Sequence, residues 1–305
     1  FVRGSSRDSH VFRALDDVSF RVKKGTTFGL IGHNGSGKST TMKMLLGLLE
    51  PTAGSVRLLG QDLTGAARGP LMARIGSMIE RPPGYGHLTG AENMRIVQKL
   101  LGLSDGQVER ALALVRLNEH RDRLVRAYSL GMKQRLGIAM ALAREPELLI
   151  LDEPTNGLDP AGIEEIRRLL VELADRGVTV MVSSHLLDEI DRMAGVLGVL
   201  SAGRLVFQGT RARLMERSVP DLLVVTPAGR AALSAEVLAG LVPASGPGAA
   251  VPAAEGMRVP GLSPDGAAEL ARRLVGAGVP VHALRREPKS LEEVFMDLTG
   301  RGGVL

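Results

Sequence analysis

Residues 32–40 read GHNGSGKST, and this loop decides how the rest of the chain is read. It follows the apolar run Thr27-Phe28-Gly29-Leu30-Ile31 and leads into the helix-forming Thr41-Met42-Lys43-Met44-Leu45-Leu46. Strand, glycine loop and helix, in that order, are the context a phosphate-binding P-loop needs. Gly32, Gly35 and Gly37 free the backbone to turn its N–H groups inward around a polyphosphate. The helix behind them adds unpaired N–H groups and a dipole that favours anions. Lys38 is predicted to reach the outer phosphates, and the Ser39 hydroxyl to hold magnesium. A glycine-rich turn of no special purpose matches this spacing by chance on the order of a few per cent of the time. The strand and helix on either side lower that further, so the loop reads as a nucleotide site.

Composition narrows the remaining choices. The chain has 305 residues, enough for one large domain and a smaller one. It contains no cysteine, which removes a disulfide framework and thiolate metal sites and fits a reducing compartment. No stretch resembles a signal peptide, and no apolar run approaches the roughly 20 residues of a membrane-spanning helix. Any membrane contact is therefore expected to come through a partner. The formal charge of +5 comes from arginines scattered through helix-like segments. No basic block appears, so solvated faces explain the charge better than a nucleic-acid surface does.

A second motif, ELLILDEP, covers Glu147 to Pro154. Four apolar residues between two prolines suit a fully buried parallel strand, whose C-terminal end is where ligands sit in an open α/β sheet. Asp152 is placed for the magnesium shell, and Glu153 can orient or deprotonate an attacking water. Two carboxylates at a strand end are common decoration when taken alone, but together with the P-loop they complete one chemistry. Between the two motifs lies YSLGMKQRLGIAMAL, from Tyr128 to Leu142. Ser129 is placed as a helix N-cap there, which creates a second anion-binding helix start.

With these residues in place, the sequence resembles the ATP-binding subunit of an ABC transporter over about residues 11–215. GHNGSGKST is similar to the family's Walker A loop, with His33, Asn34, Ser36 and Thr40 completing the ATP-binding stretch. ELLILDEP is similar to Walker B followed by the catalytic glutamate, and YSLGMKQR stands where the ABC signature stands, with Ser129 and Gly131 at its serine and second glycine. Asn156-Gly157-Leu158-Asp159 matches the D-loop, and His185, after Thr179 to Ser184, matches the switch histidine. Two departures stand out. Glu80 replaces the usual Q-loop glutamine, which keeps an oxygen for the metal shell but removes an amide donor. Leu130 and Met132 stand where many relatives carry Gly and Gln. Both departures resemble the bacitracin and lantibiotic self-protection and drug-export branch. Phe1 and Phe12 are the candidates for stacking on adenine.

The resemblance implies an α/β fold of the P-loop NTPase type: an ABC ATPase with a RecA-like core over residues 1–218 and a helical subdomain at about 82–140. Helices are expected at Ala91 to Leu103 and Asp105 to Leu117. It implies ATP and Mg2+ as ligands, catalysis by Glu153 and His185, and head-to-tail pairing in which Ser129 and Gly131 meet the partner's ATP and Asp159 links the two sites. The partners implied are multi-span membrane permease subunits and a second copy or a homologous ATPase subunit, with no nucleic acid. The resulting expectation is a peripheral exporter ATPase on the cytoplasmic face of the cell membrane, exporting a peptide antibiotic, drug or related amphipathic compound. The alternatives are a soluble ABC ATPase working on ribosomes or DNA, disfavoured by the single Walker A loop, and an importer ATPase. Residues 219–305 read as a small α+β domain: strands at Leu222 to Thr226 and Val279 to Leu284, helices at Ala228 to Leu241, Pro264 to Gly276 and Leu291 to Thr299, and an Ala/Pro/Gly-rich loop from Val242 to Gly256.

Overall fold

The computed structural model describes residues 13–226, 235–238, 240–243 and 249–300. The chain divides into two compact units, Phe1–Arg211 with Thr299–Leu305, and Ala212–Leu298.

The first unit is organised by strands that are too apolar to face water. β1 (Thr27–Ile31), β5 (Leu148–Leu151) and β6 (Thr179–Ser184) are buried at every residue, as parallel strands covered on both faces must be. They belong to a six-stranded sheet of order β4-β5-β6-β1-β7-β8, in which β4 is Ile75–Met78, β7 Val196–Ser201 and β8 Arg204–Gly209. All neighbours run parallel except the β7–β8 hairpin. A two-stranded ribbon of β2 (Arg57–Leu58) and β3 (Gln61–Asp62) lies between α1 (Lys38–Leu45) and α2 (Gly65–Met72) in the chain. One core cluster joins Phe28 and Leu30 of β1 to Met42 of α1, Ile150 of β5 and Met181 of β6.

Between β4 and β5 the chain is helical: α3 (Gly90–Leu101), α4 (Asp105–Leu114) and α5 (Leu130–Leu142). Polar caps set the starts of these helices. Thr89 with Glu92 and Ser104 with Gln107 form reciprocal capping boxes, each satisfying two backbone N–H groups that a helix start leaves unpaired. α3 ends at Gly102, whose φ of 64° is the left-handed turn that glycine adopts without penalty. α6 (Pro160–Asp175) and α7 (Leu187–Asp191) flank β6 in the sequence. α7 lies directly on β1, because a Cβ on Gly29 would sit 2.0 Å from Ile190 Cγ2.

The second unit opens with α8 (Arg211–Glu216) and contains a four-stranded antiparallel sheet of order β10-β11-β9-β12. Here β9 is Asp221–Val225, β10 Val251–Ala253, β11 Gly256–Val259 and β12 Ala283–Glu287, with α9 (Ala235–Leu238), α10 (Pro264–Gly276) and α11 (Leu291–Thr299). Leu222, Val224, Met257, Val259, Leu270 and Leu274 form its core. Ser290 and Glu293 cap α11 reciprocally.

Two expectations for this unit need correction. The segment from Val242 to Gly256, read as a loop, contains β10 and reaches Gly256, the first residue of β11. Pro252 disguised that strand, yet β10 is the sheet's edge, where a missing N–H costs no ladder bond. The last strand starts at Ala283, not Val279. Val279 belongs to the end of α10, where its N–H is bound by the Leu274 carbonyl after Gly278 turns at φ 70°. Of the helix expected at Ala228 to Leu241, Ala235–Leu238 is helical, and 228–234 and 239 lie outside the described residues. No helix among the described residues is long and apolar enough to cross a membrane.

Candidate nucleotide site

The order β5-β6-β1 brings three loops to one sheet edge. Leu151 is in register with Val182, and Ile31 with Ser184. The residues that follow these strands, Gly32–Thr40, Asp152-Glu153 and His185, therefore leave the sheet side by side although up to 153 positions separate them in the chain, from Gly32 to His185.

The glycine loop is held open by steric necessity. Gly35 and Gly37 have φ of 81° and 105°, and Gly37 is the N-cap of α1. A Cβ on Gly32 would meet Ser36 Oγ at 2.3 Å and the Leu200 carbonyl oxygen at 2.5 Å. The Ser36 N–H closes the turn on the His33 carbonyl at 3.1 Å. His33, Gly37, Ser39 and Thr40 are half-buried, Asn34 and Gly35 exposed, and the buried Ser36 hydroxyl has no hydrogen-bond partner. Lys38 is buried, with 5% exposure; its Nζ donates to the carbonyls of Gly32 (2.7 Å) and His33 (3.3 Å) and lies 3.3 Å from Glu153 Oε1.

Asp152 and Glu153 are positioned by one serine. Ser183 Oγ donates to Asp152 Oδ1 at 2.6 Å and accepts the Glu153 N–H at 2.9 Å. Glu153 turns with φ 46°, a left-handed conformation that costs a residue with a Cβ roughly 1–2 kcal/mol. The turn points its carboxylate at two partners, Lys38 through Oε1 and His185 Nδ1 through Oε2, the latter at 3.0 Å. Strain of this kind is characteristic of sites where geometry matters more than stability.

Ser129, Gly131 and Asp159 lie at helix starts. Ser129 is the N-cap of α5, and its Oγ accepts the Met132 N–H at 3.2 Å. Asp159 caps α6 by accepting the Gly162 N–H at 3.2 Å. A Cβ on Gly131 would lie 3.9 Å from Leu158 Cδ2, and one on Gly157 would lie 3.0 Å from Leu130 Cδ2. The Asn156–Asp159 turn and the start of α5 thus touch within one chain. Glu80, just past β4, adopts φ 69° and pairs with Lys43 of α1 at 2.5 Å. The hydrogen bond and charge of Lys43 hold its carboxyl below the usual glutamate range.

A family model described as ABC transporter matches residues 15–156. Bacitracin transport ATP-binding protein BcrA of Enterococcus faecalis is 48% identical over 206 residues, which cover 67% of this chain and 67% of that protein. The chain belongs to the ABC transporter ATP-binding family. Lantibiotic transport ATP-binding protein SrtF of Streptococcus pyogenes is 43% identical to this ABC subunit over 64% of this chain and 83% of its own length. Among solved structures, an ATP binding subunit of an ABC transporter shares 33% identity at a TM-score of 0.60, covering 67% of this chain and 86% of that one. The fold is that of an ABC ATPase cassette, and the chain is a transporter ATPase that binds ATP.

The residues present fit both ligands. Backbone cradle, buried ammonium and unpartnered Ser36 hydroxyl suit a polyphosphate. Among the described residues no group of three or more His, Cys, Asp or Glu side chains is suited to hold a metal. The hard oxygens available are Ser39, the Ser183-braced Asp152 and the Glu80 carboxylate, which is paired with Lys43. Few protein oxygens, with the rest supplied by water and phosphate, is how magnesium is usually held.

Sequence reasoning missed Ser183 as a functional residue. The signal was there: a fully buried hydroxyl inside an otherwise apolar strand must find a partner. Met132, a departure from the common signature, is buried at the start of α5, whereas Leu130 is exposed. Phe1 and Phe12, the candidates for adenine stacking, lie outside the described residues.

Proposed function

We propose that this ABC subunit drives export of a peptide antibiotic or related amphipathic compound through separate membrane-spanning subunits, by ATP hydrolysis at the Lys38–Glu153–His185 site. The observation that carries the chemistry is the Glu153 carboxylate, which bridges the buried Lys38 ammonium and the His185 ring. The substrate class is drawn from the names of the bacitracin and lantibiotic transport relatives.

In this reading the Gly32–Thr40 loop wraps the ATP phosphates, and Lys38 trades carbonyl contacts for the β- and γ-phosphate oxygens. Ser39 and Asp152 would hold Mg2+, with the Glu80 carboxylate as a further oxygen, and the ion would supply positive charge against that developing on the phosphates. Glu153 accepts a proton as water attacks the γ-phosphorus and the bond to the ADP oxygen breaks. His185 keeps the Glu153 carboxylate and the γ-phosphate aligned. Ser129 and Gly131 complete the site of a second copy, or of a homologous subunit, and Asp159 couples the two sites. ATP then joins the two cassettes, and its loss separates them, so differential affinity of the closed pair for ATP over ADP supplies the work. The surface beside Glu80 to Asn93 takes the permease, which holds this subunit at the cytoplasmic face of the membrane.

The test is recovery of tagged Glu153→Gln protein from native membranes with ATP and magnesium, followed by mass spectrometry. A multi-span permease is the expected co-purifying protein. Ribosomal or DNA-bound partners without a permease would overturn the transporter reading.

A further inference from the structure

Outside the motifs, one carboxylate collects contacts from both loops that carry the hydrolytic pair. Glu189, on α7, accepts the Thr155 hydroxyl at 2.5 Å and the Ser184 hydroxyl at 3.2 Å, both on Oε2. Thr155 and Ser184 are buried, at 4% and 3% exposure. A buried hydroxyl left without a partner is costly, and a charged acceptor makes the bond short and strong.

The placement of the two hydroxyls gives the contact its meaning. Thr155 lies two residues after Glu153, and Ser184 immediately precedes His185. Ser184 Oγ also accepts the Leu186 N–H at 2.9 Å, so the backbone on both sides of His185 is tied to one hydroxyl. Glu189 itself is held on a firm base. Its neighbour Ile190 is fully buried against Gly29 of β1, the strand that feeds the glycine loop. Glu153, Thr155, His185 and Glu189 also share the wall of a cavity of about 60 Å³.

We infer that Glu189 is a positioning residue for hydrolysis: through Thr155 and Ser184 it locks the Glu153 turn and the His185 turn at the separation where their side chains meet. This rests on Glu153 and His185 acting as proposed above. The hydrogen bonds of Glu189 go to Thr155 and Ser184, both outside the Gly32–Thr40 loop, so its loss should relax alignment and leave the ATP cradle intact. Misplacement of reacting groups by a fraction of an ångström to an ångström costs one to two decades in rate, on the order of 10- to 100-fold.

The experiment compares steady-state ATPase kinetics, nucleotide affinity and Tm of the full chain with those of Glu189→Ala, Glu189→Gln, Thr155→Val, Thr155→Ser and the Glu189→Ala/Thr155→Val double variant. Glu189→Ala should lower kcat at least about tenfold with KM for ATP within about twofold. Glu189→Gln keeps an acceptor oxygen and Thr155→Ser keeps the hydroxyl, so both should retain most of the rate. The double variant should be no slower than the worse single variant, as expected when two residues act through one contact. A Glu189→Ala rate within about twofold of wild type, or a parallel fall in kcat, affinity and Tm, overturns the inference. If Glu189→Ala does not fold, the Thr155 pair decides alone, and equal rates for valine and serine overturn it. Wild type and Glu153→Gln separate the two readings. An active wild type with an inactive Glu153→Gln and an unimpaired Glu189→Ala removes only this inference, whereas undiminished hydrolysis by Glu153→Gln removes the assignment beneath it.

Discussion

Replacing Glu153 by glutamine exchanges one carboxylate oxygen for an NH2 group at the point where three loops meet. The amide retains the shape. Its oxygen can still accept from Lys38 Nζ, now 3.3 Å from Oε1, and its NH2 can donate to His185 Nδ1, now 3.0 Å from Oε2. Lys38 also keeps its bonds to the Gly32 and His33 carbonyls. What is lost is the ability to take a proton, together with the negative charge that faces the Lys38 ammonium. A positioned general base contributes about 10²–10⁴ in rate, which is about 2.7–5.4 kcal/mol of barrier at 1.36 kcal/mol per decade. Stability should fall by about 1–3 kcal/mol, because the buried Lys38 ammonium keeps its carbonyl acceptors but loses its counter-charge. Glu153→Gly offers a control in the opposite direction. It removes the same base but relieves the φ of 46°, a gain of roughly 1–2 kcal/mol that offsets the lost side-chain contacts. Turnover by phosphate release, affinity by equilibrium nucleotide binding and Tm by thermal melting separate these effects. The expected pattern is loss of turnover in both variants, ATP affinity retained in the glutamine variant, and no collapse of Tm in the glycine variant. Hydrolysis within about tenfold of wild type in Glu153→Gln would refute the base assignment.

Other expectations follow from single contacts. Ser129→Ala removes the N-cap of α5 and should cost about 1 kcal/mol, whereas Ser129→Asn keeps a capping oxygen and should melt near wild type. Both should lose ATP-dependent dimerisation while the monomer's ATP affinity holds, and equal loss of the two by titration and sedimentation would count against the trans-site role. Gly76→Ala puts a Cβ 2.2 Å from the Ala141 carbonyl oxygen, a backbone atom, so Tm should fall by the equivalent of about 1–3 kcal/mol; an unchanged melt would show that α5 can shift away from β4 at no cost. The Thr89 N–H, first, and its hydroxyl hold the Glu92 carboxyl below its ordinary value of 4.5. The cap it makes on α3 is therefore fully present above about pH 4.5 and is lost as pH falls through the lowered value. Thermal melts between about pH 5 and 3 should show a smaller acid loss in Glu92→Gln than in wild type, and parallel curves would exclude this linkage.

The parts legible in the sequence were those that local physics determines. The run TFGLI before GHNGSGKST can only be a buried strand entering a glycine turn, because its side chains exclude water and its glycines permit the left-handed backbone seen at Gly35 and Gly37. LLIL before Asp152-Glu153, and Ser129 ahead of a helix-forming run, were readable for the same reason. β10 and the start of β12 were not, because edge pairing and a helix C-cap decided them against their own composition.

Tertiary structure alone decided which distant groups meet. Nothing within the octet around Glu153 says that its carboxylate will lie between Lys38 and His185, that Ser183 will brace both acidic residues, or that Glu80 will pair with Lys43. Those contacts depend on strand order and register, which place β5, β6 and β1 side by side. A sequence specifies hydrophobic period and turn chemistry residue by residue, but a bond between side chains at positions 38 and 153 forms only once the sheet has paired.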